Sequence, residues 1–168
     1  GEYPAYDVDS SGLVVGYDTA FGDGWNIGGA VGLTQSEIES DSSLISDEIQ
    51  SDNLQLAVYG FHGGATGLYV DLMGVVGMGD NDSRRQIMFA DIDRVARGNY
   101  DSNYMRASAQ VGYGVALNEQ FTLVPSAGLA YTRVEDDGYV ESGAGDISLD
   151  VDESDAEALI ASVDLRLD

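Results

Sequence analysis

The feature that most constrains this chain is an alternation of period two that runs through its middle. From Met105 to Leu117 every second residue is apolar (Met105, Ala107, Ala109, Val111, Tyr113, Val115, Leu117), and the residues between are Arg106, Ser108, Gln110, Gly112, Gly114 and Ala116. Period two puts the first set on one face of an extended strand and the second set on the other. After the polar triplet Asn118-Glu119-Gln120 the alternation resumes. Phe121, Leu123, Pro125, Ala127, Leu129 and Tyr131 then oppose Thr122, Val124, Ser126, Gly128, Ala130 and Thr132. Two such runs joined by a short polar turn predict a long β-hairpin.

The chemistry of the two faces decides the class. In a soluble sandwich the apolar row would face a second sheet and the polar row would face water. Here the second row is Gly, Ser and Ala with an isolated Arg, as expected of a crowded or water-filled lumen. The apolar row ends in tyrosines, which favour a membrane–water boundary. The pattern recurs along the chain. Runs 12–21, 25–39, 53–61, 68–80 and 159–167 alternate in the same way, and with the central hairpin they make seven strands. Gly22-Asp23-Gly24, residues 62–67 and residues 118–120 read as short turns. Residues 39–52, 81–99 and 135–158 read as long connections, the first and third acidic and the second holding four of the seven arginines (Arg84, Arg85, Arg94 and Arg97), and residues 1–11 as a lead-in. Short turns on one side and long loops on the other are the asymmetry of outer-membrane barrels.

Composition narrows the function. Acidic residues outnumber basic ones 30 to 7 and the formal net charge is −23, which argues against a nucleic-acid partner. There is no cysteine, so no disulfide and no thiolate chemistry. No run approaches the ~20 apolar residues of a membrane helix, which leaves barrel strands untouched as an option. No leader is visible at Gly1-Glu2-Tyr3, so the expectation is a start after processing or truncation.

Four blocks in order carry a family resemblance: residues 12–36 (GLVVGYDTAFGDGWNIGGAVGLTQS), 56–85 (LAVYGFHGGATGLYVDLMGVVGMGDNDSRR), 98–117 (GNYDSNYMRASAQVGYGVAL) and 121–144 (FTLVPSAGLAYTRVEDDGYVESGA). They resemble the C-terminal translocator domain of autotransporters, the type V secretion family. The last block is the most specific, with a mid-strand Pro, Gly-Leu-x-Tyr, an acidic turn and Gly-Tyr-x-Glu. The resemblance implies an all-β, antiparallel, up-and-down transmembrane β-barrel of twelve strands, threaded by a helix that links it to an exported passenger. About seven to eight of those strands are expected within residues 1–168, read as one partial barrel domain. An open sheet would leave unpaired edges in lipid, so flanking sequence or other chains are expected to complete it.

Candidate chemistry is sparse. His62 is the only histidine and falls in a predicted turn, so it reads as an exposed turn residue rather than a base. Glu135, Asp136, Asp137, Glu141 and residues 146–155 lack the spacing of a calcium loop and read as solvated acids. No catalytic residue, metal site or cofactor is expected. Asp71, Arg106, Ser108, Gln110, Asp164 and Arg166 are expected to face the lumen, since an Arg facing lipid at mid-depth costs about 2–4 kcal/mol. Arg84, Arg85, Gly138, Tyr139 and Glu141 form the loop motif, its arginines expected to pair with carboxylates.

The expected function is therefore an outer-membrane translocator or anchor that exports or holds a passenger at the bacterial cell surface. Its partners are outer-membrane lipid and a passenger segment or completing chains, with divalent cations a further possibility on the acidic loops. The alternatives are a stand-alone outer-membrane barrel acting as adhesin or structural protein, and a soluble acidic β-sandwich that binds calcium or glycan. The sandwich requires a second sheet over the apolar face.

Overall fold

A computed structural model describes residues 5–41, 45–89 and 92–168. Seven long strands form one antiparallel sheet: β1 (Ala5–Phe21), β2 (Trp25–Asp41), β3 (Ile45–His62), β4 (Gly67–Phe89), β5 (Ile92–Ala116), β6 (Thr122–Asp136) and β9 (Ser154–Leu167). Their order in the sheet is their order in the chain, which is the up-and-down meander the alternation predicts. Between β6 and β9 lie two short strands, β7 (Tyr139–Val140) and β8 (Asp150–Val151), paired with each other and separated by a single 3-10 turn. β1 and β9 are the edges of the sheet.

The turns are chemically specified. Gly22 and Gly24 adopt positive φ at the β1–β2 turn, a conformation in which L side chains are strained. At the β5–β6 turn the Asn118 side chain accepts hydrogen bonds from the backbone N–H groups of Gln120 (2.8 Å) and Phe121 (2.9 Å), closing an Asx turn.

Register aligns the predicted rows across all seven strands. Val15, Val31, Leu56, Val76 and Met105 are successive cross-strand partners, as are Thr19, Ile27, Gly60, Leu72, Ala109, Leu129 and Ala161. The opposite face carries Gly16, Ala30, Ala57, Val75, Arg106, Thr132 and Ala158 in one row, and Ala20, Asn26, Phe61, Asp71, Gln110, Gly128 and Ser162 in the next. On the central strands the apolar row is the exposed one: Val58 is 67% and Val76 55% exposed, whereas Val124 on the other face is 2% exposed. The sheet thus turns its Gly/Ser/Gln face inward and its Leu/Val/Met face outward.

That inside-out arrangement decides the solvent. Among the described residues only Ala96, Val124 and Ala144 are buried hydrophobics, far too little apolar surface to hold a domain of this size in water. The outer apolar rows span nine to eleven residues per strand, for example 13–21, 54–62 and 68–78, which is the length a tilted strand needs to cross a bilayer. No second sheet covers the apolar face among the described residues, so the sandwich expectation fails.

The strands run well past these rows, and here the sequence reading is corrected. Residues 5–11 of the expected lead-in belong to β1; residues 1–4, Pro4 included, lie outside the described residues. The expected loops at 39–52 and 81–99 are mostly strand, up to Asp41 and from Ile45 in one case and up to Phe89 and from Ile92 in the other. The apolar alternation stops at the membrane boundary, but the backbone ladder does not, because its hydrogen bonds need no apolar side chain. Polar cross-strand pairs replace the apolar ones. Ser10 and Ser36 share a 2.9 Å hydrogen bond, Ser51 donates to Asn81 at 2.6 Å, Asn81 donates to Ser102 at 2.7 Å, and Ser102 donates to Asp136 at 2.6 Å. His62 is likewise corrected: it ends β3 and packs its ring, tilted by 32°, against Trp25 of β2, centroids 5.1 Å apart, on the outward face. Of the three expected long connections only residues 137–153 remain largely a loop.

Candidate functional site: the inner face and its arginine-pinned loop

Two features stand out where sequence chemistry meets this sheet. The first is the inner face at membrane depth. Asp71, Arg106, Ser108, Gln110, Asp164 and Arg166 all share it, and none falls in the outward rows. Near the short turns it forms a groove bordered by Phe61, Tyr69, Asp71, Gln110, Asp164 and Arg166. Gln110 Nε2 donates to Ser126 Oγ at 3.2 Å, and Phe61 lies 6.4 Å from Tyr69. Small residues make room for the aromatics: a Cβ on Gly28 would clash with the Tyr59 ring, and one on Gly112 with the Tyr69 ring. Arg106 Nε is buried with no hydrogen-bond partner.

The second feature is the loop after β6, which folds back over the extended part of β5. Asp137 N–H donates to Asp101 O at 2.9 Å, and Arg97 and Ser142 exchange two backbone hydrogen bonds of 2.9 and 2.8 Å. β7 therefore rides along the edge of β5 that β6 has left free. Tyr139 stacks on Tyr100, centroids 5.0 Å apart and planes within 12°, above Gly98, where a Cβ would strike the Tyr139 ring. Ala96, Gly98 and Tyr100 precede Ser102 at every second position of β5, so the loop lies on the inner face. Ala96 and Ala144 are both fully buried between loop and strand.

Arginines pin this loop. Arg85 of β4 donates from Nε to Glu141 Oε1 at 3.1 Å and from Nη2 to Glu141 Oε2, a bidentate pair, and Nη2 also reaches Ile147 O at 3.3 Å. Glu141 in turn accepts Leu149 N–H at 2.9 Å and is 6% exposed. Arg94 Nη1 donates to Ala144 O at 2.6 Å. The Arg85 hydrogen bonds hold the Glu141 carboxyl below its ordinary pKa, against the opposing effect of burial. Asp47 faces Arg85 directly across the β3–β4 ladder. One of its carboxylate oxygens is buried with no hydrogen-bond partner, and burial pushes its pKa up despite Arg85.

The structure thus joins three members of the predicted loop motif, Arg85, Tyr139 and Glu141. Gly138 sits at the base of the loop, where a Cβ would press on Glu153 N, and Arg84 turns away to Glu48 at 3.7 Å. Sequence reasoning did not single out Asp47, Arg94 or Ala96: Asp47 is one acid among several in 39–52, and Arg94 and Ala96 sit in a run of mixed charge with no pattern to set them apart.

An antiparallel meander with its apolar rows outward, its Gly/Ser/charged rows inward and its strands extended on the long-loop side defines a transmembrane β-barrel wall of the bacterial outer-membrane type. The profile of the Autotransporter beta-domain family matches residues 1–168, and the chain belongs to that family. Outer membrane protein B of Rickettsia japonica is 24% identical over 148 residues, 85% of this chain, and that of Rickettsia typhi is 26% identical over 148 residues. The chain spans only 9% of the length of either relative. Among solved structures, the translocator domain of autotransporter NalP from Neisseria meningitidis superposes with a TM-score of 0.74 over 96% of this chain and 55% of that one, at 18% identity. The residence of this chain is the bacterial outer membrane.

Proposed function

We propose that this chain forms a sector of the barrel wall through which, or by which, a passenger polypeptide is exported or anchored at the cell surface. The observation that carries the reading is the inverted sheet: exposed Leu, Val and Met rows for lipid, and an inward face of Gly, Ser, Gln and Arg. Asp71, Arg106, Ser108, Gln110, Asp164 and Arg166 are the lumen-facing groups that a threaded segment meets. The segment works by shape and polarity; no nucleophile–base pair is assembled from its single histidine, so we read it as non-catalytic. The acidic extensions interact with solvent and its cations without a defined site.

Two measurements on intact cells test this. Cysteine placed at Ser108 should react with a water-soluble thiol reagent small enough to enter a barrel, and cysteine at Ala107, one residue away on the lipid face, should not. Protease added outside should shave a polypeptide linked to this domain. A properly inserted barrel with nothing attached at the surface would overturn the export reading and leave a stand-alone barrel.

A further inference from the structure

We propose that residues 138–152 are a hinged lid over the inner face of the β4–β5 extension, and that its opening transfers the Arg85 guanidinium from Glu141 to Asp47. The first observation is how the lid is held. Its contacts with the sheet are the Arg85–Glu141 pair, the Arg94–Ala144 and Arg85–Ile147 hydrogen bonds, one backbone bridge at Arg97–Ser142 and one tyrosine stack. Its larger apolar side chains do not anchor it: Val140, Ile147 and Leu149 are all exposed. A segment fixed by a few polar contacts and two buried alanines opens far more readily than the strands below it. Positive-φ glycines, Gly143 and Gly145, mark the far end of β7, and Gly138 marks the base.

The second observation is Asp47. Opening the lid withdraws Glu141 and would strand Arg85, and an unpaired guanidinium is expensive in a partly buried site. Asp47 stands opposite Arg85 with a buried, unpartnered oxygen, ready to receive it without any movement of the backbone. The guanidinium therefore has a carboxylate in both positions of the lid, which lowers the barrier to release while Glu141 secures the closed position. The lid acts on access to the barrel mouth from outside, whatever crosses the barrel.

The test uses the native protein in outer membranes. Ala96 is covered by the closed lid, so cysteine at Ala96 reports opening through its rate of reaction with an impermeant maleimide. Labelling should be slow but measurable, and Asp47→Asn should slow it about tenfold by removing the second partner of Arg85. Arg85→Gln should label fast, and in that background Asp47→Asn should have no further effect. If Asp47→Asn slows labelling equally with and without Arg85, simple repulsion between Asp47 and Glu141 explains the data and the transfer is overturned. Cysteine at Ala96 could unseat the lid by itself, so hydrogen exchange of residues 139–149 in the cysteine-free protein provides the second readout. Exchange faster than that of β5 residues 102–116, and slowed by Asp47→Asn, is expected. Protection equal to that of the barrel strands would overturn the lid.

Discussion

Arg85 and Glu141 are 56 residues apart in the chain and form a bidentate ion pair, Nε to Oε1 at 3.1 Å, that fastens the loop after β6 onto the strand that precedes β5. The carboxylate is almost completely buried and also accepts the Leu149 N–H. One side chain thus ties the loop both to the sheet and to itself.

Glu141→Gln keeps the shape and removes the charge, leaving Arg85 one neutral acceptor in place of the bidentate carboxylate. Hydrogen bonds to charged groups contribute about 1.5–3 kcal/mol, so residues 139–149 should lose roughly that much local stability. Hydrogen exchange should accelerate there and stay unchanged in β5 residues 102–116. Equal acceleration throughout would show that the pair supports the barrel and not the loop.

The same pair sets a pH dependence. Glu141 is held below its ordinary pKa, so its stabilising contribution is complete above the unfolded value and is lost as pH falls through the lower, folded one. Asp47 is shifted the other way by burial, so its charged form opposes the folded state, and that opposition is relieved as it takes up a proton. The two titrations therefore act on the loop in opposite senses, with Arg85 charged throughout. Protection of the Leu149 amide should collapse as Glu141 takes up its proton, and in Asp47→Asn, where the opposing titration is gone, protection should start higher at neutral pH and fall without that offset. A pH profile unchanged by Asp47→Asn would contradict the opposition.

Parity along β4 gives a direct test of which face meets lipid. Val76 lies in the outward row and Val75 in the inward one, opposite Arg106. Val76→Arg should destabilise the inserted protein by about 2–4 kcal/mol, while Val75→Arg, facing the polar side, should cost distinctly less. The temperature at which the protein loses its heat-modifiable mobility in detergent gels reads the difference.

Close packing on the inner face supplies another. Tyr69 lies over Gly112, so Gly112→Val forces the ring away from its strand and should lower stability by about 1–3 kcal/mol. Combining it with Tyr69→Ala should recover part of the loss, because the clash disappears. A loss that is unchanged in the double variant would show that backbone freedom, and not the ring, requires the glycine.

Much of this was legible in the residues. The alternation at 105–117 and 121–131 specified two strands, their hairpin and the face each residue takes, because a pleated strand offers only two sides. It put Arg106, Ser108 and Gln110 on the non-apolar face of β5, opposite the Met105–Leu117 row. The ends of the strands were not legible. Residues 81–89 and 92–99 mix charged, polar and a few apolar residues without alternation, yet they pair without interruption, since the ladder is made by backbone groups that every residue but proline possesses. His62 was misjudged for a related reason: its ring partner Trp25 is fixed by the β2–β3 register, not by its neighbours in sequence.

The sequence by itself determined the inverted face pattern, the meander order and the chemistry of the Arg-Arg and Gly-Tyr-x-Glu motifs, all of which are local properties of short stretches. Only the tertiary structure decided that the second motif closes on the first, that Arg85 and not Arg84 takes Glu141, and that Asp47 stands beside them. Those outcomes depend on how far β4 and β5 extend past the membrane and on Ala96 and Gly98 leaving room for the returning loop. No rule of spacing in the chain encodes a meeting between residues brought together by the register of three strands.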